Sequence, residues 1–322
     1  MSGGVSRMAQ YAGYVALVVT PLALLAGAVA APPALTTGRV TLGGSVVLVG
    51  GLAAVTERER ALDATTASGF DRRDARDAVA VVAGAIAAYL LSVHAGLGPV
   101  VGSAAVGLAA GLAPTEHDVA AYCGSFVGMA SPAVFPGVLP IALAAGVSGL
   151  AFVAARDAFG GVGGKLGTLA LFGCATTVAL TGFDYAGGTA LPWTIAPEIV
   201  AVAVAGAVVT VVLSVRLGLG AVVGSAAVGL VAGLAFPTLL PATGATLATV
   251  AFCASFVGMS STERLADERQ VAVAGVLCGL VFVFVSPAFV GAGGKLGTVA
   301  FVSAVSTVGL AELHERTRRR LR

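Results

Sequence analysis

The chain is 322 residues long, 57% of them apolar and 11% charged, with a mean hydropathy of +0.98 and a formal net charge of +2. A water-soluble domain needs a polar surface that this composition cannot supply, so lipid must be the solvent for most of the fold. The pattern also speaks against a β-barrel, because the apolar runs are too long for spanning strands and do not alternate.

A hydrocarbon core of roughly 30 Å takes about 20 apolar residues per helix. Apolar runs limited by Gly, Pro or charge give twelve spans. The first two cover residues 11–31 and 40–55. Arg7 ahead of the first run and small residues at its end also fit a cleaved signal, but the run is long enough to span as it stands. A connector from Thr56 to Asp77, TERERALDATTASGFDRRDARD, mixes acids with arginines and reads as a solvated amphipathic segment. Five spans follow near 78–95, 97–113, 118–131, 138–155 and 165–181. A linker with Asp184, Tyr185 and Trp193 leads to five more, near 198–215, 218–236, 243–260, 271–288 and 294–311. Beyond them lies the basic tail HERTRRRLR, suited to an anionic leaflet and to setting orientation rather than to binding nucleic acid.

An internal repeat is the most specific signal. GLGPVVGSAAVGLAAGL from Gly96 returns as GLGAVVGSAAVGLVAGL from Gly218, a shift of 122. SFVGM at Ser125–Met129 returns at Ser255–Met259, and GGKLGT at Gly163–Thr168 returns at Gly293–Thr298, both shifted by 130. Matches in the same order, with an eight-residue difference absorbed in a loop, indicate a duplicated half rather than a solenoid. Five crossings separate corresponding points, and an odd number turns the second copy upside down in the membrane. Basic residues agree with that parity. With the N-terminus inside, sixteen of the eighteen Lys and Arg fall on the cytoplasmic side, and only Arg39 and Lys295 fall outside. The short span 118–131, between Pro114 and Pro132, is the weak point, since a re-entrant segment there in both copies would break the parity.

Forty-five glycines, many four apart, let helix backbones approach where lipid offers no hydrophobic drive. Polar chemistry is sparse. Apart from Asp118 and Glu198, each the first residue of its span, no Asp or Glu falls inside one, which favours a passive pathway over a carboxylate-coupled carrier, and His94 reads as an interfacial side chain. The GGKLGT motif opens an apolar run in both copies. Glycine-rich backbone ahead of a helix presents unpaired N–H groups that attract anions, while a lysine there opposes the helix dipole and calls for compensation by an anion or anionic lipid. The candidate solute-binding residues are therefore Gly163, Gly164, Lys165 and Thr168 with their counterparts Gly293, Gly294, Lys295 and Thr298, joined by Ser125 and Ser255. The plain alternative is that the lysines snorkel to headgroups, the glycines make turns and the hydroxyls bond within their own helices. The four cysteines match no zinc or redox spacing, and no nucleotide, nucleophile or metal motif appears in its required context.

The expected fold is all-α: a polytopic integral membrane protein of about 12 transmembrane helices, two inverted five-helix repeats preceded by two N-terminal helices. Its parts are 1–77, the two-helix segment and connector; 78–181, repeat one; 182–197, an extracellular linker; 198–311, repeat two; and 312–322, a cytoplasmic tail. The expected function is a transporter or channel for a small neutral or anionic solute, with its pathway between the repeats. A non-transporting scaffold or lipid-binding subunit is the other class. No enzyme activity, metal or cofactor is expected. The partners are the lipid bilayer and a small solute, with a homo-oligomer compatible, and the location is the cell membrane with both termini cytoplasmic.

Overall fold

A computed structural model describes residues 2–31, 37–63 and 70–320 of the protein. The side chains of Arg39, Arg60, Arg320 and Arg322, and the connector residues 64–69, lie outside the described part. Among the described residues there are twelve α-helices and no strand. The N-terminal pair is α1 (Ser2–Ala30) and α2 (Thr37–Asp63). The first copy supplies α3 (Arg72–Tyr89), α4 (Gly98–Leu112), α5 (Asp118–Val127), α6 (Val138–Ala154) and α7 (Lys165–Thr181). The second supplies α8 (Ala196–Val211), α9 (Ala221–Leu239), α10 (Gly244–Ser255), α11 (Glu268–Phe284) and α12 (Lys295–Arg320). Five helical stretches, among them Arg7–Ala30, Arg72–His94 and Trp193–Arg216, are long and apolar enough to cross a membrane. That is consistent with a helical membrane protein. Four further apolar helices are shorter.

Local chemistry sets the helix ends. Asp71 caps α3, accepting from the backbone N–H groups of Arg73 and Asp74 at 2.7 and 2.9 Å, while the Asp74 carboxylate accepts the Asp71 N–H. Helix α2 continues through Thr56 and the charged residues after it to Asp63, because Glu and Arg are good helix formers and nothing breaks the run. Gly164 and Gly294 precede α7 and α12 with φ of +82° and +83°, a left-handed turn that costs glycine nothing.

The first copy threads back and forth along α3. His117, just before α5, bonds Asp77 near the start of α3 at 2.6 Å. Past α5, Phe135 O accepts the Tyr89 hydroxyl at 3.0 Å and the Gly137 N–H reaches the same hydroxyl at 3.2 Å, at the far end of α3. Helix α5 has 10 residues, about 15 Å of length, so 117–137 covers the length of α3 as a half-helix completed by irregular chain. Helix α6 then returns, and Arg156 beyond its end pairs with Asp74 and, at 3.7 Å, with Asp77.

The repeated sequence carries matched contacts. Both α3 and α8 end in a π-helical turn, Leu90–His94 and Val212–Arg216. Added methyl groups on Gly111 and Gly233 would meet Val222 and Val223, and Val100 and Val101, so α4 and α9 pack by reciprocal pairs. Helices α7 and α12 cross at their first turns, where a methyl on Gly167 would lie 2.5 Å from Gly297 Cα and one on Gly297 would lie 2.5 Å from Gly167 Cα. Gly164 faces Phe301 and Gly294 faces Leu171, so the two helices run antiparallel there. The backbone bonds Ser131 N–H to Gly291 O and Ser261 N–H to Gly161 O, both 2.8 Å, are likewise related by the 130-residue shift. The eight extra residues of the second copy do not form a loop. They lengthen helices: α9 runs on to Leu239 and α10 begins at Gly244, whereas α4 ends at Leu112 and α5 begins at Asp118.

Candidate functional site

Four aromatic rings fill the centre. Tyr122 and Phe126 come from α5, while Phe252 of α10 and Phe256 just after it are their counterparts in the second copy, and all four are buried. Ring centroids lie 4.5 Å apart for Tyr122 and Phe126, 4.7 Å for Phe252 and Phe256, and 4.6 Å across the copies for Phe126 and Phe256. The short helices that deliver these rings can end at this depth because their last carbonyls face glycine: Gly293 lies against the Phe126 and Val127 carbonyls, and Gly163 against those of Phe256 and Val257. No side chain fits between.

Above this plug a cavity of about 560 Å³ opens at the end of the bundle marked by Asp77. Phe126 and Phe256 line it, Gly160–Leu166 form one wall, and Ala221, Val222 and Met259 of the second copy border it. Its charged lining is Arg73, Asp77, Glu116, Arg156 and Lys165. Asp77 is buried and already held by His117 and Arg156, whereas Arg73 and Glu116, 3.5 Å apart, are largely exposed and contribute little to stability. The cavity falls in the size range of small-molecule sites.

The sequence-selected residues divide. Gly163, Gly164 and Lys165 line the cavity. The Lys165 Nζ donates to Ala155 O at 2.6 Å and Arg156 O at 3.0 Å, the carbonyls at the end of α6. Lys295 does the same at the end of α11, donating to Ser286 O at 2.9 Å. Each lysine opposes its own helix dipole but complements that of the preceding helix, which supplies the compensation its position demands. Gly293 and Gly294 pack against backbone, and Thr168 and Thr298 bond back to Gly164 O and Gly294 O at 3.2 Å. Ser125 and Ser255 are fully buried behind the rings, bonded to Ser103 and Ser225 at 2.8 Å and to the carbonyls of Tyr122 and Phe252. Tyr122 adds its hydroxyl to Ser225 at 2.9 Å.

Compared with known protein families, with curated proteins and with solved structures, the chain matches none. The site therefore rests on its own chemistry. Among the described residues no group of three or more His, Cys, Asp or Glu is placed to hold a metal, and the four cysteines are free and buried. Phe126 and Phe256 lie in the repeated SFVGM motif, but in an apolar run only the serine beside each stands out as a candidate ligand. By charge patterning, Asp74 and Asp77 fall in a solvated connector and Arg156 counts only among the cytoplasmic basic residues. No periodicity marks them as facing a cavity, and only the return of α6 beside α3 brings them together.

Proposed function

We propose that the protein is a membrane transporter or channel for a small neutral or anionic solute, with its pathway between two inverted five-helix halves. The cavity of about 560 Å³ carries the reading, since residues of both copies border it and repeat-related aromatic rings close it below. Inversion is supported by the antiparallel crossing of α7 and α12 and by the lysines. Lys165 anchors beside Arg156, at the Asp77 end. Lys295 anchors at Ser286, whose hydroxyl accepts the Leu191 N–H of the linker after α7, at the other end. With the N-terminus inside, the cavity is a cytoplasmic vestibule and the rings separate it from the outer face. Its lining holds three cationic and two acidic side chains, an excess of one positive charge that favours neutral or anionic solutes over cations.

Purified protein reconstituted into liposomes is the direct test, read as flux of small neutral solutes and of small anions. Uptake above empty vesicles is expected, and Lys165→Ala with Lys295→Ala should abolish it while leaving insertion intact. Unchanged flux in that double variant would remove the lysine motifs from the pathway. A second reading, a non-transporting scaffold or lipid-binding subunit, draws on an apolar cleft of about 190 Å³ between α1, α2 and α12, lined by Leu17, Leu25, Val46 and Phe301. Rates equal to empty vesicles for every solute would select it.

A further inference from the structure

Helix α2 precedes both copies in the chain, yet its Glu57 is buried, with 3% of its surface exposed. Its carboxylate meets the Arg264 guanidinium fork to fork, with Nη1 to Oε2 at 2.9 Å and Nη2 to Oε1 at 3.0 Å. Oε1 also accepts the Phe159 N–H at 2.8 Å, and Arg264 Nε donates to Gly160 O at 2.8 Å. One ion pair thus joins three separate pieces: helix α2, the 159–161 turn of the first copy and the 261–264 turn of the second. Gly160 and Gly161 are vestibule wall, and the same turn leads on to Lys165.

The other end of the molecule supplies an internal control. Phe159 and its counterpart Phe289 share the uncommon φ of +52° and +51°. At the position matching Arg264 stands Val134, which has no charge to offer. There the linker takes over, with Ala186 N–H bonding Val290 O at 3.0 Å and Tyr185 against Phe289 at 4.7 Å. The ionic tie is therefore an addition to the end that carries the vestibule. A buried bidentate pair is geometrically exacting, and losing one partner leaves the other charge stranded.

We propose that Glu57 is a positioning residue through which the N-terminal helix pair clamps the two turns that form the vestibule wall. The transport consequence rests on the function proposed above, but the clamp is read without flux. Glu57→Ala and Glu57→Gln would be compared with wild type in lipid nanodiscs by hydrogen exchange over 157–164, 259–266 and, as the unclamped reference, 287–294. A cysteine reporter, Gly160→Cys or Gly187→Cys, would be labelled by an impermeant maleimide. Both sites are exposed and open, and the native thiols are buried. Glu57→Ala should raise exchange about tenfold in both clamped turns and change labelling of Gly160→Cys, with 287–294 and Gly187→Cys at wild-type rates. Glu57→Gln keeps the acceptor for the Phe159 N–H and should loosen 259–266 alone. Unaltered exchange in both turns, or an equal rise at 287–294, would overturn the clamp. Should Glu57→Ala fail to fold, wild-type exchange at 259–266 in Glu57→Gln overturns it by itself. A wild-type protein that moves no solute would sink the transport proposal and leave these exchange results to decide the clamp.

Discussion

Glycine does two different jobs in this chain, and the difference is measurable. At Gly167 a methyl group would press on the Gly297 backbone at 2.5 Å, in the crossing of α7 and α12, where neither helix can yield without opening the centre. Gly146 lies in α6 with nothing within 4 Å of an added methyl. We expect Gly167→Val to cost about 1–3 kcal/mol, the usual penalty for overpacking. Gly146→Ala should stabilise by roughly 0.5–1 kcal/mol through helix propensity. Unfolding midpoints of the purified variants in detergent would separate them, and equal effects would mean that the crossing is not a close one. The sequence marks both as glycines in apolar runs. Which one touches backbone depends on a helix 130 residues away.

Elements here end where another element's dipole or carbonyls receive them. The lysines of GGKLGT close α6 and α11, and the glycines beside them admit the ends of α5 and α10. At the start of α3 the capping N–H groups of Asp74 and then Arg73 hold the Asp71 carboxyl below the usual carboxylate range. Because the folded value is depressed, the cap's contribution is complete above the ordinary carboxylate pKa and is lost as pH falls through the folded one. Hydrogen exchange across 71–76, corrected for intrinsic rates, should therefore rise on acidification below that range in wild type. Asp71→Ala should exchange fast at every pH. A pH-independent wild type would show that the cap does not order this turn. The capping box is legible in the sequence as Asp71 and Asp74, whereas the lysine caps are not, since each acts on the helix before its own.

For the molecule as a whole, the proposed inversion predicts sidedness. The turn at Gly160 borders the vestibule, while Gly187 lies in the linker after α7, whose neighbour Ala186 bonds Val290. In intact cells an impermeant maleimide should label Gly187→Cys and spare Gly160→Cys until the cells are opened. Labelling of both from outside would place the vestibule on the extracellular face and reverse the topology. The passage of 117–137 along α3 bears on the same point. The half-helix α5 by itself is too short to cross, and the irregular chain after it completes the distance to Tyr89.

The apolar character, the helical class and the repeated motifs were legible in the sequence by itself, because composition and repetition are properties of residue order alone. The sequence also located GGKLGT and SFVGM as repeated segments. Tertiary structure decided what those motifs do. The lysines turned out to cap neighbouring helices, the serines to lie behind aromatic rings, and the charges of the connector to pair with Arg264 and to line a cavity. These roles depend on contacts between segments up to about two hundred residues apart, such as Glu57 with Arg264. In a chain this uniformly apolar, hydropathy cannot say which partner a polar side chain meets; only the packing of small residues, which brings backbones into contact, fixes that.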